Sequence, residues 1–256
     1  MIKVVLCGAR GRMGRRLLEL IGESADLALA AAVERPGHPE LGLELAAGIH
    51  LGEDLATALA GADCLLDFSL PAGLAGRLAA CRQARVAYVG GITGLGDDDA
   101  RHLDDAAADI AVVWAPNMSR GVFVLRRLVA EAARLLPSYH AEIFEIHHAG
   151  KADSPSGTAL ALAEEVARAR EGAEAVYGRQ GRRRQDEIGL ASARGGDVVG
   201  EHQVMFLGGG EQLLLTHRAT SRDHFCRGAL AAVRFAARSG PGRYTMNDVF
   251  GGEPQA

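Results

Sequence analysis

The sequence predicts an α/β protein: an N-terminal doubly wound parallel sheet, followed by a smaller α+β domain with a mostly antiparallel sheet. Three observations support this fold class. An apolar run leads into a glycine-rich loop at the start of the chain, strand and helix patterns alternate up to residue 114, and strand patterns dominate from residue 139. The 256 residues suffice for two domains that each bury a core.

The first elements are an apolar strand over residues 3–8, the loop GARGRMG over residues 8–14, and a helical pattern over residues 15–21. This order is typical of a Rossmann-like dinucleotide site, in which glycines permit a tight turn and the helix N-terminus receives the pyrophosphate. The spacing G-x-x-G-x-x-G is a weak signal by itself, and a glycine-rich turn without a ligand is the alternative.

A second predicted strand, residues 27–33, ends in Glu34, where an acid would hydrogen-bond the adenosine ribose. Glu34 disfavours a 2′-phosphate, whereas the adjacent Arg35 could pair with one. We therefore expect both NADH and NADPH to serve.

The alternation continues with strands over residues 64–69, 86–91 and 111–114, and with helices after Pro71 and Asp97. Parallel sheets bind ligands beyond the carboxyl ends of their strands. The loops over residues 68–71, 90–94 and 115–118 are therefore expected around the nicotinamide half of the cofactor, with simple turns as the alternative.

After a helix over residues 119–136, strands are predicted over residues 139–147, 188–193, 198–207 and 211–219, together with a helix that begins at Gly157. A last helix, residues 225–239, is expected to return to the first domain. The predicted domains are residues 1–117 with 225–256, for dinucleotide binding, and residues 118–224, for substrate binding and oligomerisation.

The most informative stretch is residues 145–158, EIHHAGKADSPSGT. Strand alternation places His147 and His148 on opposite faces, Lys151 follows, and Ser154 or Ser156 can cap the next helix. A helix N-terminus beside an ammonium group suits a small, multiply anionic substrate. The alternative is polar residues at a strand end, a solvated lysine and a simple cap.

Composition disfavours several classes of protein. The net charge of -4 argues against a general affinity for nucleic acid or an anionic membrane. No apolar run approaches the ~20 residues of a membrane helix, and the start of the chain lacks the pattern of a signal peptide. The cysteines are scattered and form no C-x-x-C pair. We therefore expect a soluble, cytoplasmic protein without a metal site.

The motifs above resemble those of the bacterial dihydrodipicolinate reductases, also called 4-hydroxy-tetrahydrodipicolinate reductases. The resemblance extends over nearly the whole chain and rests on residues 8–14, 91–94, 115–117, 145–160 and 196–202. It implies NAD(P)H-dependent reduction of 4-hydroxy-tetrahydrodipicolinate (dihydrodipicolinate), a small cyclic dicarboxylate, to tetrahydrodipicolinate in diaminopimelate and lysine biosynthesis. It also implies a homotetramer, with contacts made by the sheets of the second domain.

The resemblance also implies roles for matching residues. His147 matches the family's catalytic histidine and Lys151 its proton-donating lysine, while His148, Gly157 and Thr158 match substrate contacts. The matching cofactor positions are Gly8, Ala9, Arg10, Gly11, Arg12, Met13, Glu34, Arg35, Gly91, Ile92, Thr93, Ala115, Pro116, Asn117 and Met118. Departures from the family pattern at Ile92, Arg120 and Phe123 leave the cofactor preference open.

Two other functions stay open: a non-catalytic NAD(P)-binding regulator, which would have no reason to hold His147 with Lys151, and an imine reductase for another small dicarboxylate. A short-chain dehydrogenase is disfavoured because no tyrosine has a lysine four residues on. An aldehyde dehydrogenase would need an activated cysteine. A metal site on His147 and His148 is disfavoured because adjacent strand residues diverge.

Overall fold

Two separate sheets organise the chain in the computed structural model, which describes residues 1–252. Contacts between Cα atoms divide the chain into two units. The first unit is Met1–Met118 together with the chain from Phe225 onward, and the second is Ser119–His224. Residues 253–256, the end of the segment predicted to complete the first domain, lie outside the described residues.

An eight-stranded sheet forms the first unit. Its strands are β1 (Ile2–Cys7), β2 (Leu27–Val33), β3 (Glu44–Ala46), β4 (Ile49–Gly52), β5 (Cys64–Asp67), β6 (Ala87–Gly90), β7 (Ala111–Trp114) and β13 (Gly242–Tyr244). Their order is β13-β7-β6-β5-β1-β2-β4-β3, and every pairing is parallel except that of β3 with β4. The strand order reverses direction at β1, and this switch point is where such sheets bind ligands.

The helices of this unit are α1 (Arg12–Gly22), α2 (Leu55–Ala58), α3 (Leu74–Ala84), α4 (Asp97–Ala107), α7 (Asp223–Ala236) and α8 (Met246–Gly251). The middle strands consist mostly of buried apolar residues, as expected for a parallel sheet covered by helices. Helix α7 is held to the strands by Arg234, which donates to both carboxylate oxygens of Asp26 at 2.6 and 2.7 Å. A Cβ on Gly228 would lie 1.7 Å from the Met118 carbonyl oxygen, so α7 packs directly on that backbone.

The second unit contains α5 (Arg120–Leu135), β8 (His140–His147), α6 (Gly157–Ala169), β9 (Glu174–Tyr177), β10 (Glu187–Arg194), β11 (Gly200–Leu207) and β12 (Gln212–Ala219). The sheet order is β12-β11-β8-β10-β9. β11 pairs antiparallel with both β8 and β12, as predicted, whereas β10 pairs parallel with β8 and β9. The three strands run in the same direction because α6 carries the chain back between β8 and β9, and residues 178–186 carry it back between β9 and β10.

Helices α5 and α6 cover one face of this sheet. Buried side chains from the strands, such as Ile143 and Phe206, pack there against helix residues such as Val129 and Leu162. The opposite face, here called the outer face, carries Phe144 and Leu214, which are 36% and 47% exposed. Leu214 lies beside Met205, which in turn lies beside Glu142 across the strands. The second sheet therefore has one covered face and one partly apolar face open to solvent.

The predicted fold class is confirmed by these two sheets and by the comparisons given below. The structure adds short elements that the sequence patterns did not predict: β3, β4, α2, β9, β13 and α8. Among residues 1–252, no helix combines the length and the apolar character that crossing a membrane requires.

Candidate active site

The glycine loop forms the turn between β1 and α1. Gly8 has a φ of 79°, and a Cβ there would lie 2.7 Å from the Phe68 carbonyl oxygen. A Cβ on Gly14 would lie 2.1 Å from the Gly8 carbonyl oxygen. Only glycine therefore lets the start of α1 pack against the turn. Gly11 precedes α1 without a side-chain cap, so the first amides of the helix can serve an anion.

Glu34 lies beside this loop at the end of β2. Its carboxylate accepts from the Arg10 amide at 2.9 Å. The Arg10 guanidinium donates to the two oxygens of Glu40 at 2.5 and 2.9 Å. This bidentate pair was not predicted, since a glutamate thirty residues from Arg10 forms no motif with it. The region beside the glycine loop and the end of β2 therefore combines the arginines Arg10 and Arg35 with two acids.

Two cavities adjoin along the carboxyl ends of the strands of the first unit. The larger, about 730 Å³, is lined by Gly8, Arg10, Glu34 and Arg35 among others. The smaller, about 360 Å³, is lined by Arg12, Met13, Gly91, Ile92, Thr93, Ala115, Pro116 and Met118, together with Phe225. Gly11 and residues 68–70 line both. Two joined cavities astride a helix N-terminus have the form that the two halves of a dinucleotide require.

Of the predicted cofactor residues, Ala9 and Asn117 do not line either cavity. Ala9 is buried beneath the loop, and its Cα would be 2.7 Å from a Cβ on Gly14. Ile92 is buried, and its carbonyl accepts from the Trp114 indole at 2.9 Å. Arg120 and Phe123, which also differ from the family pattern, lie on α5. Arg120 is the first helical residue, and the Arg127 guanidinium lies 5.9 Å from the centroid of the Phe123 ring.

A buried ion pair supports the loop that both cavities share. Asp67, at the end of β5, is fully buried and accepts from the Arg77 guanidinium at 2.6 Å and the Tyr88 hydroxyl at 3.0 Å. Arg77 also donates to the Leu70 and Ala72 carbonyls. No sequence pattern predicted this network, which fixes the backbone of residues 70–72 beside the two cavities.

In the second unit, β8 brings Glu145 and His147 to the same face of the sheet. Glu145 is completely buried, and its Oε2 lies 2.5 Å from His147 Nδ1. Arg194, beside His147 on β10, donates to both oxygens of Glu145 at 2.9 and 2.8 Å, and the Ser156 amide donates at 3.1 Å. Burial raises the pKa of Glu145, but the hydrogen bonds from Arg194 and His147 outweigh it, and that pKa falls to about 2.

A second histidine, His202 on β11, lies directly across from Glu145. Its ring meets that of His147 edge to face, with centroids 5.0 Å apart, and its Nε2 lies 3.0 Å from the Ser156 hydroxyl. Burial and the neighbouring His147 lower the pKa of His202 to about 4, so this imidazole is neutral at pH 7. Neither His202 nor Arg194 was predicted as a site residue. Both reach Glu145 through the pairing register of β10 and β11 with β8, which the sequence pattern does not reveal.

Lys151 follows in the loop between β8 and α6. Its ammonium donates to both oxygens of Asp153, at 2.6 and 2.8 Å, and its positive charge lowers the pKa of the nearby His147. Burial is the larger cause of that lowered pKa. Lys3 and Lys151 are the only lysines in a chain with 28 lysines and arginines. An ammonium can release a proton in a suitable environment, whereas a guanidinium cannot.

Helix α6 begins where the sequence predicts. Ser156, of the two predicted serines, is the cap: its hydroxyl accepts from the Ala159 amide at 3.2 Å. Gly157 and Thr158 are the first two helical residues, at the end of the helix that carries partial positive charge. Gly157 is exposed, with no atom within 4 Å of a Cβ built there. His148 lies just past the strand end and is half-buried.

The structure thus gathers His147, Lys151 and the start of α6 into one region of the second unit. It gathers the predicted cofactor loops in the first unit. Among residues 1–252, no group of three or more histidine, cysteine, aspartate or glutamate side chains is arranged to hold a metal ion.

Comparison with known proteins identifies similar chains over the full length. A family model described as dihydrodipicolinate reductase, N-terminus, matches residues 2–118, and its C-terminus counterpart matches residues 121–250. The 4-hydroxy-tetrahydrodipicolinate reductases of Nitrosomonas europaea and Anaeromyxobacter sp. (strain Fw109-5) are 44% and 48% identical to this chain, and each match covers 98% of both sequences.

Among solved structures, the dipicolinate-bound dihydrodipicolinate reductase from Paenisporosarcina sp. TG-14 superposes with a TM-score of 0.83. The match covers 98% of this chain and 99% of that one at 22% identity, so it supports the fold.

Proposed function

This chain belongs to the dihydrodipicolinate reductase family, and on that premise we propose that its own residues perform the family's reaction. That reaction is the NAD(P)H-dependent reduction of 4-hydroxy-tetrahydrodipicolinate to tetrahydrodipicolinate in lysine and diaminopimelate biosynthesis. Full-length similarity to named reductases leaves no support for the non-catalytic regulator. In this proposal the first unit binds the dinucleotide and the second unit binds the substrate.

The first unit fits the cofactor, which when bound supplies the hydride. Its glycines let the loop and the start of α1 pack closely, and α1 would present its N-terminal amides to the pyrophosphate. Glu34 would accept from the ribose hydroxyls, and Arg35 lines the larger cavity beside it. The smaller cavity, lined by Ile92, Thr93 and Met118 among others, would hold the nicotinamide half.

The second unit supplies groups for a substrate with two carboxylates. One carboxylate is held by the amides of Gly157 and Thr158, where the helix dipole adds favourable charge, and His148 contacts the substrate beside them. Neutral His147 faces the reacting ring. Lys151 contributes both attraction for the dianion and the proton that reduction requires.

The observation that carries this proposal is the position of Lys151 between His147 and the start of α6. Asp153 holds its ammonium through two hydrogen bonds, which orient the group until substrate competes for it. Reduction at a ring carbon needs one proton for each hydride, and a charged lysine can supply it.

The test is oxidation of NADH or NADPH on adding the condensation product of aspartate semialdehyde and pyruvate. Lys151→Ala is expected to lower kcat by about 100-fold or more, with little change in the Kd for NADH. Lys151→Arg should lower kcat similarly but raise KM less, because it keeps the charge without a transferable proton.

The matched control is Lys3→Arg, since Lys3 lies on an exposed strand start and contacts no candidate site residue. Turnover by Lys151→Arg within a few-fold of the wild type would contradict the assignment of Lys151 as proton donor. Failure of the wild type to act on this substrate, with activity on another cyclic imine dicarboxylate, would favour the related imine reductase.

We also propose a cytoplasmic homotetramer whose subunits meet through the outer face of the second sheet. The apolar Phe144 and Leu214 side chains are open there, and such a sheet face gains free energy when a second copy covers it. The four cysteines are free and buried, which agrees with a reducing compartment.

A further inference from the structure

Glu145 is a completely buried acid beside His147 in the second unit. Its side chain has no exposed surface, and donors from three directions meet it: Arg194 from β10, His147 from β8 itself, and the Ser156 amide before α6. A buried carboxylate is costly unless it is paired and hydrogen-bonded. The bidentate Arg194 contact supplies the compensating charge.

The protonation of His147 follows from this arrangement. An ionised carboxylate can only accept hydrogen bonds, so the 2.5 Å contact requires the proton to lie on His147 Nδ1. A neutral imidazole carries one proton, and its Nε2 therefore presents a lone pair.

The space around Nε2 is also defined by the fold. A Cβ built on Gly200 would lie 2.9 Å from His147 Nε2, so a side chain at that position would press on the ring. Glycine at the start of β11 leaves room for the imidazole and for a ligand atom beside it.

Resting on the proposed function, we propose that Glu145 is a positioning residue for His147. Arg194 fixes Glu145, and Glu145 keeps the proton of His147 on Nδ1. The unprotonated Nε2 of His147 is then a hydrogen-bond acceptor for the substrate. In this arrangement His147 is not the acid, and Lys151 alone carries the proton for transfer. Neutral His147 is the active form.

The charged and titratable groups around His147 agree with a neutral ring. Burial lowers the pKa of His147 most, Glu145 raises it, and the positive charges of Lys151 and Arg194 lower it further. His202, which contacts the ring from β11, is held neutral by its own burial. Glu145 is thus the only acid among these neighbours that favours the imidazolium.

The experiment is the pH dependence of kcat/KM for the full chain in the NADH oxidation assay. Protonation of His147 should remove activity at low pH. Glu145→Gln removes the charge that raises the pKa of His147, so the acidic limb should move to lower pH by about one unit. Glu145→Asp, which keeps the charge, should restore the limb toward its wild-type position. Substrate ionisation cancels in this comparison because every variant meets the same substrate.

Glu142→Gln is the matched control, because Glu142 lies on the same strand but on the outer face, where Arg183 contacts it. Its acidic limb should coincide with that of the wild type. An acidic limb that stays in place in Glu145→Gln, but vanishes in His147→Gln, would overturn the proposal while leaving the family reaction intact.

A measurement on the wild type covers the case in which Glu145→Gln does not fold. The ¹⁵N shifts of the His147 ring distinguish a protonated Nδ1 from a protonated Nε2. We expect the Nδ1–H form at pH 7, and observation of the Nε2–H form would overturn the proposal. Loss of all NADH oxidation by the wild type would instead contradict the proposed function.

Discussion

Arg10 is the residue at which cofactor preference can be examined most directly. Its amide donates to Glu34 and its guanidinium donates to Glu40, so one arginine is bound between two acids beside the larger cavity. A 2′-phosphate needs a cation with free donors, and a paired arginine offers few. We therefore expect Glu40 to disfavour NADPH by pairing with Arg10.

Glu40→Gln is expected to raise the ratio of kcat/KM for NADPH over NADH by about tenfold, because the released Arg10 can pair with the 2′-phosphate. Steady-state kinetics with both cofactors would measure it. The control is Glu44→Gln on β3, whose carboxylate accepts from the Gly48 amide at 2.9 Å. An unaltered or lowered ratio in Glu40→Gln would contradict the role of this pair.

Sequence patterns predicted some of the individual residues of the candidate site. Strand alternation places Glu145 with His147, and the capping chemistry of Ser156 is visible in the chain. Arg194 is 49 residues from Glu145, and His202 is 46 from Ser156. Those contacts depend on the register of β10 and β11, which local patterns do not determine.

Helix α1 is the element whose sequence and structure agree most closely. It follows a buried strand, its buried residues Leu17, Leu20 and Ile21 recur at helical spacing, and Gly14 lets its first turn contact the Gly8 backbone. The hairpin of β3 and β4 gave no such signal. β3 is three residues long, and both its ends are exposed, so it lacks the apolar alternation that identifies a strand.

Gly14→Ala is expected to weaken NADH binding by about tenfold or more, because its Cβ would lie 2.1 Å from the Gly8 carbonyl oxygen and must displace α1 from the loop. Calorimetric titration of NADH measures this. Gly22→Ala is the matched control, since it lies in the same helix with nothing within 4 Å of the added methyl. Equal affinities in the two variants would show that close packing of α1 is not needed for the cofactor.

At the scale of the whole molecule, the two-sheet architecture was predictable because it depends on long patterns. The change from alternating helices and strands to mostly strands is visible over a hundred residues. The parallel pairing of β9 and β10 was not predictable, because β9 has only four residues of mixed exposure and so carries little periodic signal.

The outer face provides the test of assembly. Leu214→Asp is expected to convert a tetramer into smaller species at micromolar concentration, because a charge would be buried beside Glu142 and Met205 in the contact. Sedimentation equilibrium measures the mass. Val124→Asp on α5 is the control: Val124 is 46% exposed but lies away from the sheet. A Leu214→Asp tetramer would contradict assembly through this face.

The return of the chain to its first unit constrains the order in which a ribosome completes the protein. The first 118 residues are synthesised before β13, the edge strand beside β7, and before α7, whose Arg234 donates a hydrogen bond to Asp26. The inserted unit is one continuous stretch whose last strand has been synthesised by residue 219. During synthesis the second unit is therefore complete before the first unit, although the first unit begins earlier in the chain. A chain that stops shortly after residue 224 would contain the whole second unit and an incomplete first unit.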